Sequence, residues 1–252
     1  FGTKKELILD VEDDELFFTY KNWLHFLYYF FIRGWNSPNA HLKLLLLHLF
    51  LFPARKRTVV SSKLQKRYGG EIILHGPDEK VFNPGLYDQF KTRKDFNLPL
   101  NKKLILFAGV PHEHKGVRMI INALEVIDND KFILVCAGPH DHDLFIEAKK
   151  RLGDKCIILG MVDNSKMASL LSAVDITPML QKRMKFTESQ MPAKLFEAMA
   201  MKKLIIATDA SDIGKVLGKN ENEKRGFLVD YDNIDQFIVT LKTSIENPKL
   251  IE

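Results

Sequence analysis

"KLILFAGVPHEHKGVRMIINALEVI", residues 103–127, is the stretch that decides the fold. After Lys103 it runs through an unbroken set of apolar residues and stops at Gly109. A short polar loop follows, and Lys115-Gly116 opens a segment whose apolar residues recur at helical spacing. A continuous apolar strand suits burial on both faces, which belongs to a parallel sheet covered by helices. "FILVCAG" (132–138) repeats the pattern. Extending the reading outward, strands are expected at 6–10, 58–61, 71–75, 103–108, 131–137, 155–159, 174–178, 203–208 and 226–229. Helices are expected at 13–33, 40–52, 62–68, 117–127, 142–152, 164–173, 192–201 and 233–245. This alternation predicts an α/β, doubly wound fold.

Composition limits the function classes. The chain has 252 residues, 46% hydrophobic and 27% charged, with a net charge of +5 and a pI near 9.0. That is the balance of a globular protein with a mild preference for an anionic partner. Its two cysteines, Cys136 and Cys156, fall in apolar strands and are expected as reduced core thiols. No Cys/His spacing resembles a structural zinc site. No G-x-G-x-x-G follows a strand with an acidic residue about 20 positions on, which argues against a dinucleotide-dependent oxidoreductase. Basic residues are scattered, with no aromatic-studded basic strand, which argues against nucleic-acid binding. The apolar runs "WLHFLYYFFI" (23–32) and "LKLLLLHLFLF" (42–52) are shorter than the roughly 18–20 residues of a membrane span. Their aromatic residues, with Arg33 and Arg55-Lys56-Arg57 beyond their ends, fit contact with a membrane surface; helices of a domain core fit them as well. The first residue is Phe1 and no signal peptide is visible, so the chain is expected to begin inside a domain.

The polar, Pro- and Asn-containing stretch near 79–102 reads as a boundary. On that reading residues 1–84 are the rear part of one Rossmann-like domain, truncated at its front, and residues 85–252 are a complete second one.

Ligands of open parallel sheets bind where strands feed into helix N-termini, so the residues after each strand are the candidates. Gly109 lets a ligand approach the backbone, and Lys115 with Gly116 at a helix start suits a phosphate; a turn glycine beside a solvated lysine reads equally well. "VCAGPH" (135–140) places Gly138 at the next strand end. In "IILGMVDNSKMASLLSAVDI" (157–176), Gly160 and Val162 form a turn able to meet a nucleobase edge, and Asp163 or Asn164 can cap the next helix. In "MPAKLFEAMAMKKLIIAT" (191–208), Pro192 suits a first helical turn, and Lys194 and Glu197 share a face. The apolar residues around that pair predict a largely buried helix carrying a buried ion pair. Such a pair facing the strand ends serves a ligand more often than it serves stability.

Taken in order, these stretches resemble the retaining GT-B glycosyltransferases of the family-4 type (glycosyl transferases group 1). The resemblance rests on Gly109, the Lys115-Gly116 pair, "ILGMV", "LLSAVDITPML", "PAKLFEAMAMKKLIIATD" and "RGFLVDYDN" in the family's order, and covers about residues 57–245. Upstream, "RTVVSSKLQKRYGGEIILHGPDEKVFNP" (57–84) is similar to that family's passage between its two domains, with a strand ending in serine. The resemblance implies that Lys115 binds the diphosphate of a nucleotide-sugar donor. It further implies that Glu197 clamps the ribose, that Gly160–Val162 hold the base, and that the backbone near Pro192 and Ala193 meets phosphate. The family's Glu-x7-Glu motif would put its first glutamate at 189, where Ser189 stands; Glu188 is adjacent and is the candidate to replace it. The family's arginine after the strand glycine is absent, because Val110 follows Gly109; His112, His114 or Arg118 could supply that charge.

The implied function is transfer of a sugar from a nucleotide-diphosphate sugar to a glycan or lipid-linked acceptor with retention of configuration. No metal or other cofactor is expected. Lys115 and Glu188 are the expected catalytic groups. Gly109, Gly116, Gly138, Gly160, Val162, Ser189, Pro192, Ala193, Lys194 and Glu197 are expected to bind the donor with Lys115. The expected location is cytoplasmic, at the inner face of the membrane. The alternative is a non-catalytic nucleotide-sugar-binding module or an inactive fragment.

Overall fold

The computed structural model describes residues 8–13, 56–127, 130–218 and 224–246. The helices expected at 13–33 and 40–52, and the proposed membrane-contacting stretch between 21 and 55, lie outside the described residues. The chain falls into two compact units. One comprises Phe1–His75 and Met184–Met191, the other Gly76–Arg183 and Pro192–Glu252.

The described part of the first unit is a parallel three-stranded sheet, β1 (Ile8–Val11), β2 (Lys56–Val59) and β3 (Glu71–Ile72), in that order. The last strand is shorter than the 71–75 expected from its apolar run; Ile73 adds one bond to Val59 and the chain then leaves the sheet. Helix α1 (Ser62–Tyr68) connects β2 to β3, and the Ser61 side chain caps its N-terminus.

The second unit begins with a helix where the sequence suggests only a passage between domains. This is α2 (Gln89–Asp95), capped by the Asp88 carboxylate. There follow β4 (Lys103–Ala108), α3 (Val117–Ile127), β5 (Phe132–Ala137), α4 (Asp143–Leu152), β6 (Cys156–Gly160) and α5 (Asn164–Ala173). The chain then runs through β7 (Ile176–Met179), α6 (Ala193–Ala200), β8 (Leu204–Thr208), α7 (Ile213–Leu217), β9 (Phe227–Val229) and α8 (Ile234–Glu246). The six strands form one sheet in the order β6-β5-β4-β7-β8-β9, every neighbouring pair parallel. The chain works outward from β4 to β6, then returns to the other side of β4 at β7. Loops leaving β4 and β7 therefore diverge, and that divergence opens a crevice at the carboxyl ends of the strands.

Burial follows the strand alternation. Ile105 and Phe107 of β4 join Leu134 of β5 and Ile176 of β7 in one core with Ile120, Leu124 and Phe145 from α3 and α4. Leu104, Leu106, Ile133 and Val135 are buried on the opposite face. Each such side chain contributes about 1.5–3 kcal/mol on leaving water. Cys136 and Cys156 are buried and free, as the sequence suggested.

The opposite end of the sheet is pinned by an ion pair. Arg93 Nη2 lies 2.7 Å from Asp175 Oδ2, with both side chains 7% exposed. The guanidinium also donates to the carbonyls of Ala173, Pro99, Leu100 and Lys102. Asp175 Oδ2 accepts from the Leu104 N–H at 2.7 Å. One buried arginine thus ties α2 to the starts of β4 and β7.

Candidate functional site

Three glycines end β4, β5 and β6 side by side. Gly109 has φ +123°, and the place of a Cβ there is open space. Its N–H donates to the Ala137 carbonyl at 2.7 Å, and the Gly138 N–H donates to the Gly160 carbonyl at 2.8 Å. A Cβ on Gly138 would stand 2.3 Å from the Gly109 carbonyl oxygen, so only glycine allows this approach. Gly109, Gly138 and Gly160 are thus brought together as a row of bare backbone. Beyond Gly160, Met161 is exposed and Val162 is half-buried. Asp163 occupies the N-cap of α5 but its side chain makes no capping bond, unlike the expectation.

The loop from β4 to α3 is held in place by its neighbours. A tight turn, Glu113–Lys115, ends at Gly116 with φ +72°. A Cβ at Gly116 would meet the Leu180 Cβ and carbonyl oxygen at 2.5 Å, so this glycine seats the loop against the end of β7. The Lys182 N–H donates to the His114 carbonyl at 2.8 Å, and the Tyr231 hydroxyl donates to the Glu113 carbonyl at 3.0 Å. Neither brace was apparent in the sequence, because Lys182 and Tyr231 come from the loops after β7 and β9.

Positive charge gathers here. Burial, and then the charge of Lys194, hold the Lys115 ammonium below the ordinary lysine range. Among the described residues no carboxylate pairs with Lys115. His112 and His114 stack with ring centroids 5.5 Å apart and planes 12° apart. Burial, Lys115 and His142 lower His112; burial, His112 and Lys115 bring His114 down to about 4. Arg118, the third candidate to replace the absent arginine, is instead paired with Glu113 and Glu147.

Helix α6 starts at Pro192, and no side chain caps it. Its first turn therefore offers the N–H groups of Ala193 and Lys194, the Leu195 N–H already donating to the Pro192 carbonyl at 3.0 Å, and such free groups favour an anion. Lys194 Nζ lies 3.5 Å from Glu197 Oε2. That carboxylate oxygen is buried yet accepts no hydrogen bond. The expectation of a largely buried helix needs correction. Only Leu195 and Ala198 are buried, and the Lys194 and Glu197 side chains are 35% and 19% exposed. The helix packs one face on β8 and leaves the face bearing Lys194 accessible. The pair is a half-open ion pair whose buried Oε2 faces the Lys194 ammonium without a hydrogen bond, and a hydroxyl donor reaching it would supply that bond.

Glu188 and Ser189 belong to the first unit, whereas the other candidates belong to the second. Ser189 is fully buried, and its carbonyl accepts from the Ser61 hydroxyl at 2.7 Å. Lys63 Nζ donates to Glu188 Oε2 at 2.8 Å and to the Lys185 carbonyl at 2.9 Å. The strand-ending serine was the only sequence signal for this grip. Among the described residues no group of three or more His, Cys, Asp or Glu is placed to hold a metal ion. No helix among them is long and apolar enough to cross a membrane.

The family model of glycosyl transferases group 1 matches residues 88–252, well over half of the chain. The chain belongs to this family. Its α/β, parallel-sheet architecture is that of GT-B glycosyltransferases, as the sequence led us to expect. A relative in Bacillus subtilis (strain 168), "Putative teichuronic acid biosynthesis glycosyltransferase TuaC", is 29% identical over 187 residues. That alignment covers 68% of this chain and 45% of the relative, so the chain spans under half of that protein's length. The C-terminal domain of the group 1 family protein LpcC from Francisella tularensis is 26% identical, with a TM-score of 0.56, covering 69% of this chain and 90% of that domain. Anabaena Alr3699/HepE in complex with UDP shares the fold at 16% identity and a TM-score of 0.69, over 98% of this chain and 64% of that one. The same protein has been crystallised with UDP-glucose.

Proposed function

We propose that the chain carries the donor site of a retaining, family-4 type glycosyltransferase, which moves a sugar from a nucleotide-diphosphate sugar to a glycan or lipid-linked acceptor. The observation that carries this reading is the first turn of α6. It joins uncapped N–H groups, Lys194 and the unbonded Glu197 oxygen, and its charge is felt at Lys115. A diphosphate placed on the helix start and Lys115 puts the ribose hydroxyls within the province of Glu197, a charge-assisted acceptor. The glycine row leaves room for the pyrophosphate, and Gly160–Val162 form the base side. UDP bound to a protein of the same fold is consistent with this.

In the transfer, the bond from the anomeric carbon to the phosphate oxygen breaks, and a bond from the same carbon to the acceptor oxygen forms on the same face. The acceptor proton passes to the departing phosphate oxygen. Lys115 stabilises the charge that grows on the diphosphate, which is worth most in a site closed to water. That role makes a metal unnecessary, and EDTA treatment is expected to leave donor binding unchanged. Glu188 and Ser189, carried by the first unit, are the residues proposed to act on the sugar, and Lys63 fixes the direction of the Glu188 carboxylate. In this proposal residues 1–84 form the rear of the acceptor-side domain and residues 85–252 the donor domain. The apolar and basic stretch 21–57 brings the enzyme to the cytoplasmic face of a membrane; salt-sensitive flotation with anionic vesicles tests this, and absence of binding at low salt refutes it.

The Lys63–Glu188 ion pair, together with serine at 189, also favours a second reading, a donor-binding module without turnover. A screen of UDP-, GDP- and ADP-sugars by thermal shift and by donor hydrolysis decides. Stabilisation by one nucleotide class with slow release of free sugar supports the transferase. Stabilisation without hydrolysis supports the binding module, and no stabilisation by any of them refutes both.

A further inference from the structure

Val110 brings no charge to the loop after β4, and the groups that could meet an anion beside Lys115 differ in kind. Arg118 is occupied by Glu113 and Glu147. His112 and His114 lie two positions apart on the turn that presents Lys115. Their rings are nearly parallel at 5.5 Å. The turn that carries them is fixed from both sides, by the Lys182 N–H on the His114 carbonyl and the Tyr231 hydroxyl on the Glu113 carbonyl. These braces hold the backbone of the turn, and with it the close spacing of the two side chains. Two protonated imidazoles cannot stack face to face at low cost beside an ammonium, so the loop's own groups favour neutral rings.

We propose that the stacked His112–His114 pair takes up a proton when a diphosphate occupies the loop beside Lys115, and so supplies on demand the charge that Val110 leaves out. The proposal rests on the diphosphate reading of this site and adds its regulation by pH. The surroundings carry the argument. Lys115 and Arg118 lie on the same connection, with Glu113 held by Arg118. His142 adds its influence on His112 from the loop after β5, and its Nδ1 accepts from the Leu144 N–H, which leaves the other nitrogen as the donor in the neutral ring. Lys182 lies on the loop after β7, Lys194 on α6 near Lys115, and Tyr231 after β9. Burial and then the Lys115 and His142 charges lower His112, and burial and then the His112 and Lys115 charges bring His114 down to about 4. An arriving diphosphate reverses the sign of the local field, and the imidazoles then gain by protonation.

The test is isothermal titration calorimetry of the whole chain with UDP, GDP, inorganic pyrophosphate and the corresponding nucleosides. Each titration is run at pH 6.5 in two buffers of different ionisation enthalpy, which reports protons taken up on binding. Wild type is expected to take up more protons than His112→Gln/His114→Gln with the diphosphates, and equal numbers with the nucleosides. Affinity for the diphosphate relative to the nucleoside should rise up to about tenfold more in wild type than in the variant between pH 7.5 and 5.5, one pKa unit being a factor of ten. Comparing the two proteins removes the ligand's own phosphate titration. Equal uptake by wild type and variant overturns the proposal while leaving the donor site standing. If no diphosphate binds at any pH, the donor reading falls and this one with it. His112 is exposed, so His112→Gln alone keeps the fold and should lower the uptake in part if the double variant is unstable.

Discussion

Arg93→Met is the substitution whose cost can be worked most closely from the structure. The guanidinium and the Asp175 carboxylate are 2.7 Å apart and 7% exposed each. Removing Arg93 leaves that carboxylate in a dry site, with the Leu104 N–H, Lys103 at 3.7 Å and the charge of nearby Lys203 to offset it in part. It also deprives the carbonyls of Ala173, Pro99, Leu100 and Lys102 of a shared donor. Breaking a buried pair from one side costs about 3–5 kcal/mol. For a chain of this size each kcal/mol lowers the melting temperature by about 2–4 °C, so a drop of roughly 6–20 °C is expected. Replacing both partners, Arg93→Met with Asp175→Leu, should recover much of it, because the unpaired charge is then gone. Scanning calorimetry measures the shift, and nucleotide affinity at a temperature where the variant is folded should be unchanged, because the pair sits at the starts of the strands. A single variant that melts within about 2 °C of wild type refutes the reasoning.

Three further outcomes follow from other parts of the chain. Gly116→Ala puts a Cβ 2.5 Å from the Leu180 carbonyl and asks alanine to hold φ +72°, so it should destabilise the fold and weaken diphosphate binding more than nucleoside binding; equal affinities for both would refute the role of this glycine in seating Lys115. Ser61→Ala removes the cap of α1 and the donor to the Ser189 carbonyl, a loss of about 1–3 kcal/mol by chemical denaturation, whereas Ser61→Thr should retain most of it. His114 is held at about 4 in the fold against 6.5 when unfolded, so the unfolded chain takes the proton first; stability should fall as pH drops from about 6.5 to about 4, and His114→Gln should flatten that slope.

Much of the second unit could be read directly because its strands are apolar on both faces. The ends of β4, β5, β6 and β8 fall within a residue or so of the expected limits, and glycines mark the carboxyl ends of three of these strands. Helix α2 escaped because its only buried members are Thr92 and Arg93, which leave no apolar stripe to detect. A buried arginine looks like a surface one until Ala173 and Asp175, 80 and 82 residues away, are known as its partners. The same distance hid the grip of Ser61 on Ser189, at a separation of 128 residues. The burial of α6 was overestimated because Phe196, Met199 and Ala200 are apolar but only half-buried, so composition alone misjudged the ion pair. The stacked histidines were visible as candidates; their stacking depends on a turn held by contacts with Leu180, Lys182 and Tyr231, all distant in sequence.

The central claim is that Lys115 meets the diphosphate and Glu197 meets the ribose of one nucleotide. The most direct measurement is calorimetric affinity for a nucleoside and its diphosphate in wild type, Lys115→Ala and Glu197→Ala, with melting curves recorded alongside. The account predicts that Glu197→Ala weakens both ligands while melting near wild type, and that Lys115→Ala weakens the diphosphate alone. A Glu197→Ala protein that melts several degrees lower yet binds both ligands unchanged, or a Lys115→Ala protein that loses nucleoside and diphosphate equally, would contradict it.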